Sequence, residues 1–125
     1  MTDIILVVDD EDDVREAIVL ELQNAGYGTI ELNTGEQMVT MALEIQPAAI
    51  VLDLAMPVMT GYEALLELKE NSATAGIPVI VASAQRGRDV ANMVRDLGAA
   101  GFLSKPWQDG ELVTPVQQAI DSSAD

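Results

Sequence analysis

Four short, unbroken apolar runs divide this chain: Ile4 to Val8, Ala49 to Leu52, Val79 to Ala82 and Phe102 to Leu103. Runs of this length, rich in Val and Ile, suit strands buried on both faces. Gly28 to Leu32 alternates more and reads as an edge strand. The stretches between them carry apolar residues at helical spacing. These are Val14, Ile18 and Leu22; Met38, Met41, Ala42 and Ile45; Leu65, Leu66 and Leu68; Val90, Val94 and Leu97; and Leu112, Val116, Ala119 and Ile120. The order is therefore βα repeated five times. Strict alternation implies an α/β fold with a parallel sheet, helices on both faces and right-handed crossovers. Gly26, Gly61, Gly76, Gly98 and Gly101 fall near the joins, where tight turns are needed.

At 125 residues, 49% of them hydrophobic, the chain can bury a sizeable core, and residues 1–125 are read as one domain. Six Lys and Arg against 21 Asp and Glu leave a formal net charge of −15, which opposes direct binding to a nucleic-acid backbone. The chain has no cysteine, which removes disulfides and thiolate metal sites and suits a reducing compartment. No basic segment precedes an apolar one at the start, and every apolar run breaks well short of about 18 residues. A soluble, cytoplasmic protein without a membrane role is expected. Histidine is absent too, so carboxylates must carry any chemistry.

The informative residues lie where apolar runs end. Asp9 and Asp10 close the first, Asp53 the second, Ser83 the third, and Lys105 follows the fourth in GFLSKP. In a parallel sheet all these positions share the carboxyl edge, and ligands bind where strand order reverses. With strand order 2-1-3-4-5, the first and third strands flank that reversal, and Asp9, Asp10 and Asp53 converge. Clustered carboxylates repel one another, which raises a pKa or recruits a cation. An all-oxygen site selects a hard cation such as Mg²⁺, which also accepts phosphate oxygens. On this reading Asp53 is a nucleophile toward a phosphoryl group and Asp9 and Asp10 hold the metal. Lys105, Ser83 and backbone N–H groups after Asp53 bind phosphoryl oxygens. Taken singly, Asp9 or Asp10 could cap the first helix, Ser83 could be an ordinary strand-end serine, Phe102 a core residue and Lys105 a loop lysine.

These residues resemble the receiver domain of two-component response regulators, with the single-domain chemotaxis regulator as the familiar type. VVDDEDDVRE is similar to the family's first acidic motif and VLDLAMPVMTG to its phosphoacceptor segment. VIVASA resembles its fourth-strand hydroxyl motif, and GFLSKPW its switch aromatic followed by Lys-Pro. The resemblance covers essentially the whole chain and rests on these four motifs in order. The resemblance implies a flavodoxin-like (βα)5 doubly wound fold of order 2-1-3-4-5 over residues 1–125. It implies phosphorylation of Asp53 by a histidine kinase or histidine phosphotransfer protein, and Mg²⁺ held by Asp9, Asp10, Asp53 and the backbone carbonyl of Ala55. Ser83 and Phe102 become the switch pair and Lys105 the family's invariant lysine, with a cis Lys105–Pro106 bond. The output is a changed protein-binding face on the fourth helix, fifth strand and fifth helix, read by a downstream target or output domain. Such a module is a monomer or weak dimer and not an enzyme beyond slow self-phosphorylation and dephosphorylation.

Ala55 and Gln85 occupy positions that tune acyl-phosphate lifetime in that family. Pro115 departs from the pattern: it falls inside the expected fifth helix, which must either begin there with Thr114 as cap or bend. Other readings are a phosphorylation-independent receiver-like adaptor, an aspartyl-phosphate phosphatase and a flavin-binding module. The phosphatase pattern requires Asp-x-Asp after the first strand, whereas Asp10 follows Asp9 directly. The flavin reading lacks a phosphate-cradling Gly- or Ser-rich loop after that strand.

Overall fold

A computed structural model describes residues 3–56, 59–84, 87–108 and 110–123. Strands and helices alternate without exception along them: Ile4–Val8 (β1), Asp12–Asn24 (α1), Gly28–Leu32 (β2), Gly35–Ile45 (α2), Ala49–Leu52 (β3), Gly61–Glu70 (α3), Val79–Ser83 (β4), Arg88–Asp96 (α4), Gly101–Ser104 (β5) and Val113–Ser123 (α5). The sheet is parallel throughout, in the order β2-β1-β3-β4-β5. This is the flavodoxin-like receiver architecture expected from the sequence. Among the described residues no helix is long and apolar enough to cross a membrane.

Because side chains alternate across a strand, successive residues of one apolar run feed two different cores. Leu6, Val8, Ile50, Leu52, Val79 and Val81 pack with Met38, Ala42, Leu65 and Val94 of α2, α3 and α4. Ile5, Val7, Ala49, Val51, Ile80 and Ala82 pack on the other face with Ile18 and Leu22 of α1 and Val116 of α5. Helical spacing in the sequence identified these contact residues, although Ile45 and Leu66 are exposed. The run at Phe102 and Leu103 differs from its expected two-sided burial. β5 lies at a sheet edge with all four residues partly exposed, since only β4 flanks it.

Pro115 also resolves differently from both readings of the sequence. α5 begins at Val113, two residues earlier, and Pro115 sits in its first turn. There the missing N–H costs nothing, because the first four amides of a helix have no intrahelical acceptor. The preceding Gly110 carbonyl instead accepts from the amide and hydroxyl of Thr114, at 3.4 and 3.3 Å.

Strand register sets the carboxyl edge. Val8 pairs with both Leu32 and Leu52, and Leu52 with Val81, so the residues after β1 and β3 emerge side by side. The ladder continues one step beyond the strands. Asp9 donates its amide to Leu32 (3.1 Å), Asp53 to Val8 (3.0 Å) and Lys105 to Ser83 (2.8 Å).

Candidate functional site

Those backbone bonds bring Asp9, Asp53 and Lys105 together at the order reversal. Asp9 and Asp53 are buried, at 1% and 4% exposure, and Ser83 at the end of β4 is wholly buried. The Lys105 ammonium donates to Asp9 Oδ2 at 2.7 Å and lies 3.4 Å from Asp53 Oδ1. The Lys105–Pro106 peptide is cis. One ammonium facing two buried carboxylates leaves an excess negative charge in a poorly solvated place, an arrangement that needs a further cation or a proton.

The electrostatics follow from that geometry. Burial and then the neighbouring Asp9 push the Asp53 carboxyl above the usual carboxylate range, while Lys105 and the Ala55 N–H pull it down. Burial alone would depress Lys105, but its hydrogen bond to Asp9 and the charges of Asp53 and Asp9 outweigh this and raise it. Asp9 has a second contact: its Oδ1 accepts the Glu11 amide at 2.9 Å and braces the turn into α1, but the N-cap of that helix is Glu11 with no side-chain cap, so Asp9 does not cap it.

The acidic group is wider than the sequence suggested. Asp9, Asp10, Glu11 and Asp53 each offer a carboxylate oxygen, all within 4.8 Å of one another, with Asp10 and Glu11 exposed. Mg²⁺ bound at about 2.1 Å to its ligands spaces opposite oxygens about 4.2 Å apart, comparable to the spread of this group. The donors are oxygen only, the chemistry a hard cation prefers. Glu11 escaped notice because it follows a conspicuous Asp pair, and its approach depends on the turn between β1 and α1.

Three further residues shape the site: Gly61, which ends the phosphoacceptor segment, and Glu21 and Arg15, whose part is not evident from sequence. Gly61 opens α3 under a reciprocal Thr60–Glu63 cap, and its amide donates to Leu54 at 2.9 Å. A Cβ there would lie 2.2 Å from the Asp53 carbonyl oxygen and 2.6 Å from Leu54 Cα, so only glycine lets the helix start this close to Asp53. Glu21 of α1 accepts from the Trp107 indole at 2.8 Å and from the Gly110 amide at 3.4 Å, fastening the loop that carries Lys105. Arg15 binds the Asp9 carbonyl at 2.8 Å. Phe102 is partly buried against the core on the α2–α3–α4 face, and Ala55 is exposed. Gln85, like Pro57 and Val58 of the phosphoacceptor segment, lies outside the described residues.

Comparison with known proteins bears on the family and the fold. The family model for the response regulator receiver domain matches residues 5–117. The phosphate regulon transcriptional regulatory protein PhoB of Pseudomonas aeruginosa is 32% identical over 116 residues, 93% of this chain and 51% of that protein. The DNA-binding response regulator MtrA of Mycobacterium tuberculosis is 31% identical over 123 residues, 97% of this chain and 52% of its own length. The chain thus spans about half the length of these curated relatives. Among solved structures, a response regulator described from Chloroflexus aurantiacus superposes with a TM-score of 0.92 at 27% identity, covering 97% of this chain and 99% of that one. Chemotaxis protein CheY4 of Vibrio cholerae gives 0.88 at 26% identity, covering 95% and 99%.

Proposed function

The chain belongs to the response regulator receiver domain family of two-component signalling, and from that premise we propose that Asp53 is its phosphoacceptor, in a Mg²⁺-dependent switch. The observation that carries this reading is the pairing of the buried Asp53 carboxylate with the Lys105 ammonium beside buried Asp9. Asp53 Oδ attacks phosphorus and forms a P–O bond. The bond from phosphorus to the donor breaks, and its electron pair stays on the departing group. For a phosphohistidine donor that group is an imidazole, which then takes up a proton. This sequence has no histidine, so the imidazole belongs to a histidine kinase or phosphotransfer protein.

Asp9, Asp10, Asp53 and the Ala55 carbonyl hold the cation on this reading, with exposed Glu11 at its rim. When bound, Mg²⁺ neutralises charge on the phosphoryl oxygens. Lys105 binds one of those oxygens and the Ala55 N–H another. Ser83 turns its hydroxyl toward the phosphoryl group and Phe102 follows it inward, biasing the α4–β5–α5 surface that a downstream protein or an output domain reads. Water attack on the acyl phosphate later returns the carboxylate, so turnover is self-directed and slow. The site works in the cytoplasm, as a signalling module and not as an enzyme acting on a separate substrate.

Intact mass after incubation with acetyl phosphate and Mg²⁺ tests the reading, run beside Asp53→Asn and an EDTA control. A phosphoryl adduct on the wild type alone, lost with EDTA, is expected. No adduct, together with no spectral response to beryllofluoride, would instead mark a phosphorylation-independent adaptor on a receiver fold.

A further inference from the structure

Arg15, one turn into α1, takes no part in the phosphoryl chemistry described above, yet its guanidinium joins the β1–α1 turn, its own helix and β2. Nη1 donates to the Asp9 carbonyl oxygen at 2.8 Å, Nη2 to Asp12 Oδ1 at 2.7 Å and Nε to Glu31 Oε1 near the end of β2 at 3.3 Å. Its side chain is only 14% exposed, whereas Asp12 and Glu31 are largely open to solvent. Exposed ion pairs with such partners contribute little by themselves. The bond to Asp9 is different, because it fixes the peptide from which the β1–α1 turn departs. That turn carries Asp9, Asp10 and Glu11, three of the four clustered carboxylates.

We propose that Arg15 is a positioning residue for the divalent cation: its planar fork, braced on Asp12 and Glu31, holds the Asp9 carbonyl so that the β1–α1 turn presents its carboxylates as one ligand set. This rests on the Mg²⁺-dependent reading of the site. The sign of the effect separates positioning from charge. A cation beside a cation site repels the incoming metal, so if Arg15 acted by charge alone, its removal would tighten binding. If it acts by holding ligands in place, removal weakens binding despite the lost repulsion, as breaking an outer-shell contact does by about 10- to 100-fold. Lysine keeps the charge and loses the fork, so it cannot restore all three contacts.

The test is isothermal titration of wild type, Arg15→Met and Arg15→Lys with MgCl₂ at fixed ionic strength, each variant checked for wild-type circular dichroism and cooperative melting. Expected is Mg²⁺ binding weakened about tenfold or more in Arg15→Met, and by a smaller factor in Arg15→Lys. Binding equal to or tighter than wild type in a folded Arg15→Met overturns the inference and leaves the phosphoacceptor reading intact. Wild type that binds no Mg²⁺ overturns both. Should Arg15→Met fail to fold, Arg15→Lys decides: equal or tighter binding there refutes the role and weaker binding supports it.

Discussion

Two lysines reach the sheet from opposite edges, and both are partly buried, but they are held by different means. Lys105 at the carboxyl edge faces Asp9 and Asp53. Lys69, in the last turn of α3, donates to the carbonyls of Ala75 (2.9 Å) and Ile77 (2.8 Å) near the amino edge. Among the described residues no carboxylate lies within 4.0 Å of Lys69. Burial lowers its pKa with nothing to offset it, whereas carboxylates raise that of Lys105. A lysine bonded to neutral carbonyls closes a turn, and its stem fills space over Gly98. A lysine bonded to two buried carboxylates sits where charge is to be handled. The same residue type therefore serves packing at one edge and chemistry at the other.

Replacement at the two positions should part the two properties, and the largest effect is expected at Lys105. Lys105→Met should slow phosphoryl uptake from acetyl phosphate on the order of 100-fold, the scale for losing one charged donor to a developing anion. Lys69→Met should leave that rate within about twofold of wild type. Mass-resolved time courses measure both, and equal slowing in the two variants would dissolve the distinction.

Gly61 sharpens the contrast from the backbone side. An added methyl meets the Asp53 carbonyl and Leu54 Cα, atoms that cannot rotate away. Gly61→Ala should cost about 2–3 kcal/mol in urea unfolding, the upper range for forced overpacking, and also slow uptake because relief requires Asp53 to shift. Lys69→Met should cost about 1–2 kcal/mol by stranding two carbonyls, with uptake spared. Stability lost with function spared at the amino edge, and both lost at the carboxyl edge, is the expected pair of outcomes.

The architecture was legible because the apolar runs of β1, β3 and β4 must be covered on both faces, and alternation with helices achieves this in so short a chain. Asp9, Asp53 and Lys105 were legible for a related reason: an ionisable residue directly after a strand of the sheet inherits that strand's position. What escaped reading depends on approach across the fold. Gly61 was visible as the end of VLDLAMPVMTG, but the reason it must be glycine shows only when α3 is laid against Asp53. Arg15 and Glu21 look like ordinary polar positions of α1 until β2 and the β5–α5 loop supply their partners. Pro115 misled because a proline two residues inside a helix violates no rule, while sequence alone did not fix where α5 begins.

The smallest predicted effect is also the most specific, since it turns the two pKa directions into opposite signs. Both lysines start from an ordinary value of 10.5. Lys69 binds its proton less tightly when folded, so in the window below 10.5 the unfolded chain holds more protons and stability rises with pH. Its contribution is fully present above the unfolded value and lost as pH falls through the lowered folded one. Lys105 binds its proton more tightly when folded, so its contribution is complete below 10.5 and lost as pH rises through the raised folded value. Subtracting each Met variant from wild type cancels the titration of other groups remote from the substitution. Across about pH 8 to 11.5, a span bracketing lysine titration, the wild-type advantage over Lys69→Met should grow with pH. The advantage over Lys105→Met should hold steady and then shrink above 10.5. Denaturant unfolding at closely spaced pH values measures both slopes, and slopes of one sign would mean that carbonyl and carboxylate surroundings do not treat a buried ammonium differently in this fold.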